Sequence, residues 1–176
     1  VRLGTSGAIQ PDIEVGEVLF ARTSLGFDGL ISYYEGRDSV CDLDLERAFA
    51  EHTAWYSKLP APYFVNAHND LYELFKDATR EGITIAAPGF YAPQGRWVRL
   101  APHDKSLNEK IESCEYAGRR ITNFEMESSA VAGLARLLGH KATTVCMVIA
   151  NRYAKEMNTE YKNSIETLIQ KVLDRI

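Results

Sequence analysis

The 176-residue sequence has little cysteine, with only Cys41, Cys114 and Cys146. That number is odd, and the spacing matches no metal-ligand pattern, so a disulfide framework and a zinc site are both disfavoured. Positive charge is not in excess either: 20 Lys and Arg stand against 24 Asp and Glu, a net charge of −4. Without a diffuse positive field, a nucleic-acid backbone or an anionic membrane surface is not an expected partner, and any anionic ligand must be held by a local site. No apolar run approaches the roughly 20 residues of a membrane span, and the first residues do not resemble a signal peptide. The expectation is a cytoplasmic protein. Neither a Gly-Lys-Ser/Thr phosphate loop nor a GxGxxG fingerprint occurs, and His52, His68, His103 and His140 form no readable catalytic or metal-ligating arrangement.

What is present is ordinary globular composition, 45% hydrophobic and 25% charged. The chain opens Val1-Arg2-Leu3-Gly4 without an initiator Met or polar lead-in, so a truncated chain starting inside a buried strand is expected. A strand over residues 1–3 should run into a glycine-rich turn at Gly4-Thr5-Ser6-Gly7. A turn over residues 11–16 and a strand over 15–21 follow, and residues 22–41 read as a loop. Helical spacing predicts helices over residues 42–57, from Asn69 to before Gly82, and over 107–114, 127–138 and 161–176. Residues 83–87 and the β-branched run 143–150 read as strands. Alternating strands and helices predict one α/β domain over residues 1–176: three layers, with a central mixed, largely parallel twisted sheet flanked by helices.

Four segments could carry chemistry. Arg2-Leu3-Gly4-Thr5-Ser6-Gly7 combines backbone freedom, hydroxyls and a guanidinium fork, and could cradle a phosphate, although taken alone the segment reads rather as a plain strand-to-turn with a surface Arg. In Gly89-Phe90-Tyr91-Ala92-Pro93-Gln94-Gly95-Arg96-Trp97, the Phe90 ring could lie against a flat heterocycle. Gln94 and Arg96 suit the acceptor-donor-acceptor edge of an imide such as uracil, but an aromatic-rich loop with a solvated Arg reads as well. In Asn123-Phe124-Glu125-Met126-Glu127-Ser128-Ser129, Glu127 could accept from vicinal sugar hydroxyls while Met126 packs on the sugar; acidic residues favouring a helix N-terminus are the alternative. Val148-Ile149-Ala150-Asn151-Arg152 ends a buried strand where α/β sheets gather ligands, or simply starts a charged loop.

Taken in order, RLGTSGAIQPDIEVGEV, FYAPQGRW, NFEMESSAVAGLARLLGH and TTVCMVIANR resemble the nucleoside phosphorylase-I family, and its uridine branch above all, because Gln-x-Arg follows Phe-Tyr. The resemblance implies that Arg2 and Thr5 hold phosphate, that Phe90, Gln94 and Arg96 bind the pyrimidine, and that Met126 and Glu127 bind ribose. It also implies that Ile149 and Ala150 line the base pocket with Arg152 behind Gln94 and Arg96, and that Glu125 lies near the sugar. Gln94, Arg96 and Glu127 are the implied catalytic groups. Purine members usually carry Ser-Asp where this chain has Asn151-Arg152, which argues against a purine substrate. The sequence departs from the family at Ala92-Pro93 and Gly95, where Pro-Gly and an acidic residue are expected. The implied partners are a nucleoside and inorganic phosphate, the latter a substrate, with no cofactor and no metal. A homo-oligomer is implied, a dimer-based hexamer. Family members also have earlier strands bearing a glycine-rich phosphate turn and further arginines, which this sequence does not contain. Rival readings are a purine phosphorylase, a water-using nucleosidase, and a non-catalytic fragment.

Overall fold

The computed structural model describes residues 1–158 and 160–176. Strand β1 (Arg2–Ala8) leads through the nine-residue connection 9–17 to β2 (Val18–Gly26). A 3-10 turn (Leu30–Tyr33) and helices α1 (Arg37–Val40) and α2 (Leu43–Thr53) precede β3 (Tyr63–Asn66) and α3 (Asn69–Phe75). Then come β4 (Arg80–Ala86), α4 (Leu107–Glu112), the short β5 (Glu115–Tyr116) and β6 (Arg119–Glu125). The chain continues through α5 (Ser128–Leu137), β7 (Thr144–Asn151), β8 (Glu156–Met157) and α6 (Lys162–Leu173).

The fold is mixed α/β, and the sheet is mixed, with its two longest ladders, β1–β7 and β2–β4, parallel. Parallel pairing is confined to β1–β7, β2–β4 and β4–β6. The pairs β1–β6, β2–β3, β2–β7, β5–β6 and β7–β8 run antiparallel. The order β3-β2-β4-β6-β1-β7-β8, with β2 also pairing β7, curls the sheet into a partly closed barrel instead of a flat middle layer. Register shifts at Ser6/Gly7, Ala21/Thr23 and Ile83/Thr84 supply the bend, since a bulge raises local twist and re-aims its strand. Val18, Leu19 and Phe20 can then reach Val145, Cys146 and Met147.

Other expectations shift with it. Gly4-Thr5-Ser6-Gly7 is not a turn but the body of β1, paired residue by residue with β7. A Cβ at Gly4 would lie 2.9 Å from the Arg2 guanidinium, so the glycine serves to let that side chain fold back along the strand. Residues 22–41 are not one loop, because β2 extends to Gly26. Helix α2 is capped by Asp42, which accepts from the Leu45 N–H at 3.1 Å, and it stops at Thr53 because Ala54 turns left-handed. Helix α3 is capped by His68, whose ring accepts from the Asp70 N–H at 3.3 Å, and it ends at Phe75.

Packing occupies both sides of the sheet. Phe27, Phe49, Phe64, Ile85, Ile111 and Phe124 fill one cluster beneath α2 and α4. Phe20, Phe75, Val145, Met147, Leu168 and Val172 fill a second beneath α3 and α6. Each such side chain removed from water contributes about 2–3 kcal/mol, so these clusters fix where the strand ends lie.

Candidate active site

The ends of β6 and β7, the face of β1, the loop after β4 and the start of α6 enclose a cavity of about 640 Å³. All eleven residues given a role by the resemblance line it: Arg2, Thr5, Phe90, Gln94, Arg96, Glu125, Met126, Glu127, Ile149, Ala150 and Arg152.

One cluster is built on a turn. Tyr91 bridges to Arg96, the Ala92 N–H donates to the Arg96 carbonyl at 2.7 Å, and the Gly95 N–H donates to the Ala92 carbonyl at 2.7 Å. Gly95 has φ +75°, and a Cβ there would fall 2.1 Å from the Asn108 amide, so this position takes glycine on both counts. The turn buries Gln94 to 4% exposure. Its Oε1 accepts from Arg96 Nη1 at 3.0 Å and also from Arg152 Nη2, while its backbone carbonyl accepts from Arg152 Nη1 and, at 3.3 Å, from Asn108. The Arg96 guanidinium lies 3.9 Å over the Phe90 ring and that of Arg152 lies 4.4 Å over Phe124. Among the described residues neither arginine has a carboxylate partner; ring faces and carbonyl oxygens are their only counterweights. Burial, and then the nearby Arg96, push the Arg152 guanidinium down from its ordinary value to about 9, and burial also lowers Arg96. Two crowded cations would be relieved by an electron-rich oxygen arriving between them.

The second cluster has the opposite balance. Arg2 meets Glu125 Oε2 at 2.9 Å and also pairs with Glu127, so two carboxylates face one guanidinium. Glu125 accepts from the Glu127 N–H at 3.0 Å and from the Ser128 N–H at 2.9 Å, which caps α5. With its oxygens engaged by Arg2 and these amides, and 4% exposure, Glu125 shapes the site more than it offers a free acceptor. Glu127 and Met126 are open to the cavity, alongside Thr5 and Ile149. Beneath Arg2, the Cys146 thiol is buried and pushed up to about 12, chiefly by desolvation, so it stays neutral.

The sequence did not single out Met157, Tyr161, Ile165 or Ile169, which complete the wall. The signal was the unusual width of the apolar stripe on the last helix. Leu168 and Val172 face the core, and the adjacent Ile165 and Ile169 face the cavity. Asn108 was also missed, because only the folded turn brings it to Gln94. Among the described residues no group of three or more His, Cys, Asp or Glu could hold a metal ion. No helix there is long and apolar enough to cross a membrane.

The sequence is 30% identical over 158 residues to a uridine phosphorylase of Thermococcus kodakarensis, covering 89% of this chain and 50% of that protein. It is 28% identical over 180 residues to the uridine phosphorylase of Escherichia coli, covering 98% of this chain and 62% of that one. The chain therefore spans between half and two thirds of these relatives. A Trypanosoma brucei nucleoside phosphorylase, described as showing uridine phosphorylase activity, superposes with a TM-score of 0.82 over 99% of this chain and 62% of its own, at 23% identity. The family model for the phosphorylase superfamily matches residues 1–176 from end to end, and the chain belongs to that superfamily.

Proposed function

We propose that this chain carries the base and ribose sites of a uridine phosphorylase, a pentosyltransferase that converts uridine and phosphate reversibly to uracil and ribose 1-phosphate. The observation that carries this reading is the pair Arg96 and Arg152 converging on Gln94 with no carboxylate among the described residues to balance them. Uracil is a poor leaving group. As the glycosidic bond stretches, negative charge gathers on the ring carbonyls and the sugar turns cationic. Arg96 exchanges its bond to Gln94 for a base carbonyl as that charge develops, which stabilises the transition state more than the ground state. Arg152 keeps Gln94 oriented, so that the carboxamide N–H can donate to the other carbonyl. Glu127 accepts from the ribose hydroxyls and, with Glu125, favours the cationic sugar. Phosphate, held by Arg2 and Thr5, attacks the anomeric carbon from the opposite face. No metal or organic cofactor is needed.

The purine reading is weaker on one observation. Arg152, which stands where purine members carry the Asp that protonates N7, is spent on Gln94, donating to its Oε1 and its backbone carbonyl, so no carboxylic acid is there to serve a purine. The exposed Trp97, Val98 and Leu100 suit burial against a second copy, in keeping with a dimer-based hexamer in the cytoplasm.

The test is release of uracil from uridine that depends on phosphate, with none of the corresponding base from inosine. Release without phosphate would favour a nucleosidase. Because Arg2 is already matched by two carboxylates, phosphate should bind this chain alone only weakly. An N-terminally extended version should turn over faster; equal inactivity of both would favour the non-catalytic reading.

A further inference from the structure

A separate cavity of about 210 Å³, sharing no lining residue with the larger one, lies against the recognition turn. Trp55, Leu59, Pro60, His103 and Leu107 line it together with Ala92 and Pro93, the two residues that precede Gln94. The Trp55 Nε1–H is spent on the Pro60 carbonyl at 3.0 Å. Asp28 accepts from the Leu30 N–H at 2.6 Å, from the Tyr63 hydroxyl at 3.0 Å and from Ser129 at 3.1 Å. Asp104 is engaged by Ser106 and by Lys110. A water here finds few uncommitted partners, and water needs two to four.

We propose that this cavity is a second ligand site that takes one flat, neutral, apolar aromatic ring system. The size fits, since an apolar cavity of about 150 Å³ already holds benzene. The wall fits too: Phe27 and Trp55 stand 4.8 Å apart as a tilted aromatic pair, and the His103 ring stacks on Tyr56 at 3.8 Å. Asp28 and Asp104 at the edge repel an anion, and with their oxygens already bonded they give a cation no free acceptor. An occupant packs against Ala92 and Pro93. Ala92 is a non-glycine residue at φ +54°, a conformation that buttressing would hold. Occupancy therefore steadies Gln94 and lowers KM for uridine at unchanged kcat. That coupling rests on the uridine reading, whereas the binding itself does not.

The experiment is calorimetric titration of the protein with indole, with and without saturating uracil. One saturable site is expected, with Kd on the order of 1 mM or tighter, and uracil should tighten it because coupling is reciprocal. Leu59→Trp, which fills the cavity from its rim, should weaken indole at least tenfold while the melting temperature is kept. Should that variant misfold, a crystal of the parent soaked with indole locates the ligand directly. No saturable binding, displacement of indole by uracil, undiminished binding to a folded Leu59→Trp, or density elsewhere would each overturn the proposal. Because heat is read and not turnover, a protein inactive on uridine would still answer the question.

Discussion

Gln94 offers one carboxamide oxygen to two guanidinium groups, and this shared acceptor is what the proposed base site is built around. Replacing it by Gln94→Glu keeps the shape and adds the missing negative charge. The variant should fold at least as stably, since two partly buried cations gain a partner. Its kcat/KM for uridine should fall by about 10²-fold or more, because the N–H donor is lost and a carboxylate now faces a carbonyl. Steady-state kinetics beside a thermal melt separates the two effects; retained kinetics would mean that Gln94 only packs. The residue types at this site were legible because a Gln-x-Arg turn and an Arg at a strand end are local features. The coverage of the Phe90 ring by Arg96 was not, since it depends on a fold of the loop that no spacing encodes.

Among the elements, the turn over residues 91–96 is the most constrained. Gly95→Ala forces a Cβ into the Asn108 side chain at a positive φ, and should raise KM for uridine several-fold with a smaller effect on kcat. An unchanged KM would detach the turn from base recognition. The loop leading into α4 is tied by Asp104, whose carboxyl is held down to about 2, first by Lys110 and then by Ser106. A lowered folded value means that this contribution is present above the ordinary carboxylate pKa and is lost as pH falls towards 2. Asp104→Asn should therefore melt below the parent at pH 6, and the gap should close between about pH 4 and 2. A gap independent of pH would contradict the ion pair. Helices α2, α5 and α6 were legible because their apolar stripes, and the Asp42 cap of α2, are short-range. Strand β1 reads as a turn in the sequence because glycines usually punctuate; its true state comes from β7, at the far end of the chain. Strands β3 and β5 are too short to show a period.

At the scale of the molecule, the closing of the sheet was the least legible feature. It depends on bulges and on β2 meeting β7, neither of which leaves a local mark. The two core clusters lie on a shared sheet, so they should melt together. Phe49→Ala in one and Phe20→Ala in the other, both fully buried, should each cost about 3–5 kcal/mol and lower a single calorimetric transition. Two transitions moving independently would contradict one domain over residues 1–176. The same closure lets antiparallel β1 and β6 bring Arg2 to Glu125, while the loop after β4 brings Arg96 to the end of β7. One cavity thus holds a cationic and an acidic cluster.

The most direct test of that charge arrangement is kcat/KM for uridine phosphorolysis by Arg96→Ala in the full-length protein. Losing a donor aimed at the departing base should reduce it by roughly 10²–10³-fold with the melting temperature intact. Parent-like efficiency in that variant would show that the guanidinium does not stabilise the leaving group, and the account would be wrong.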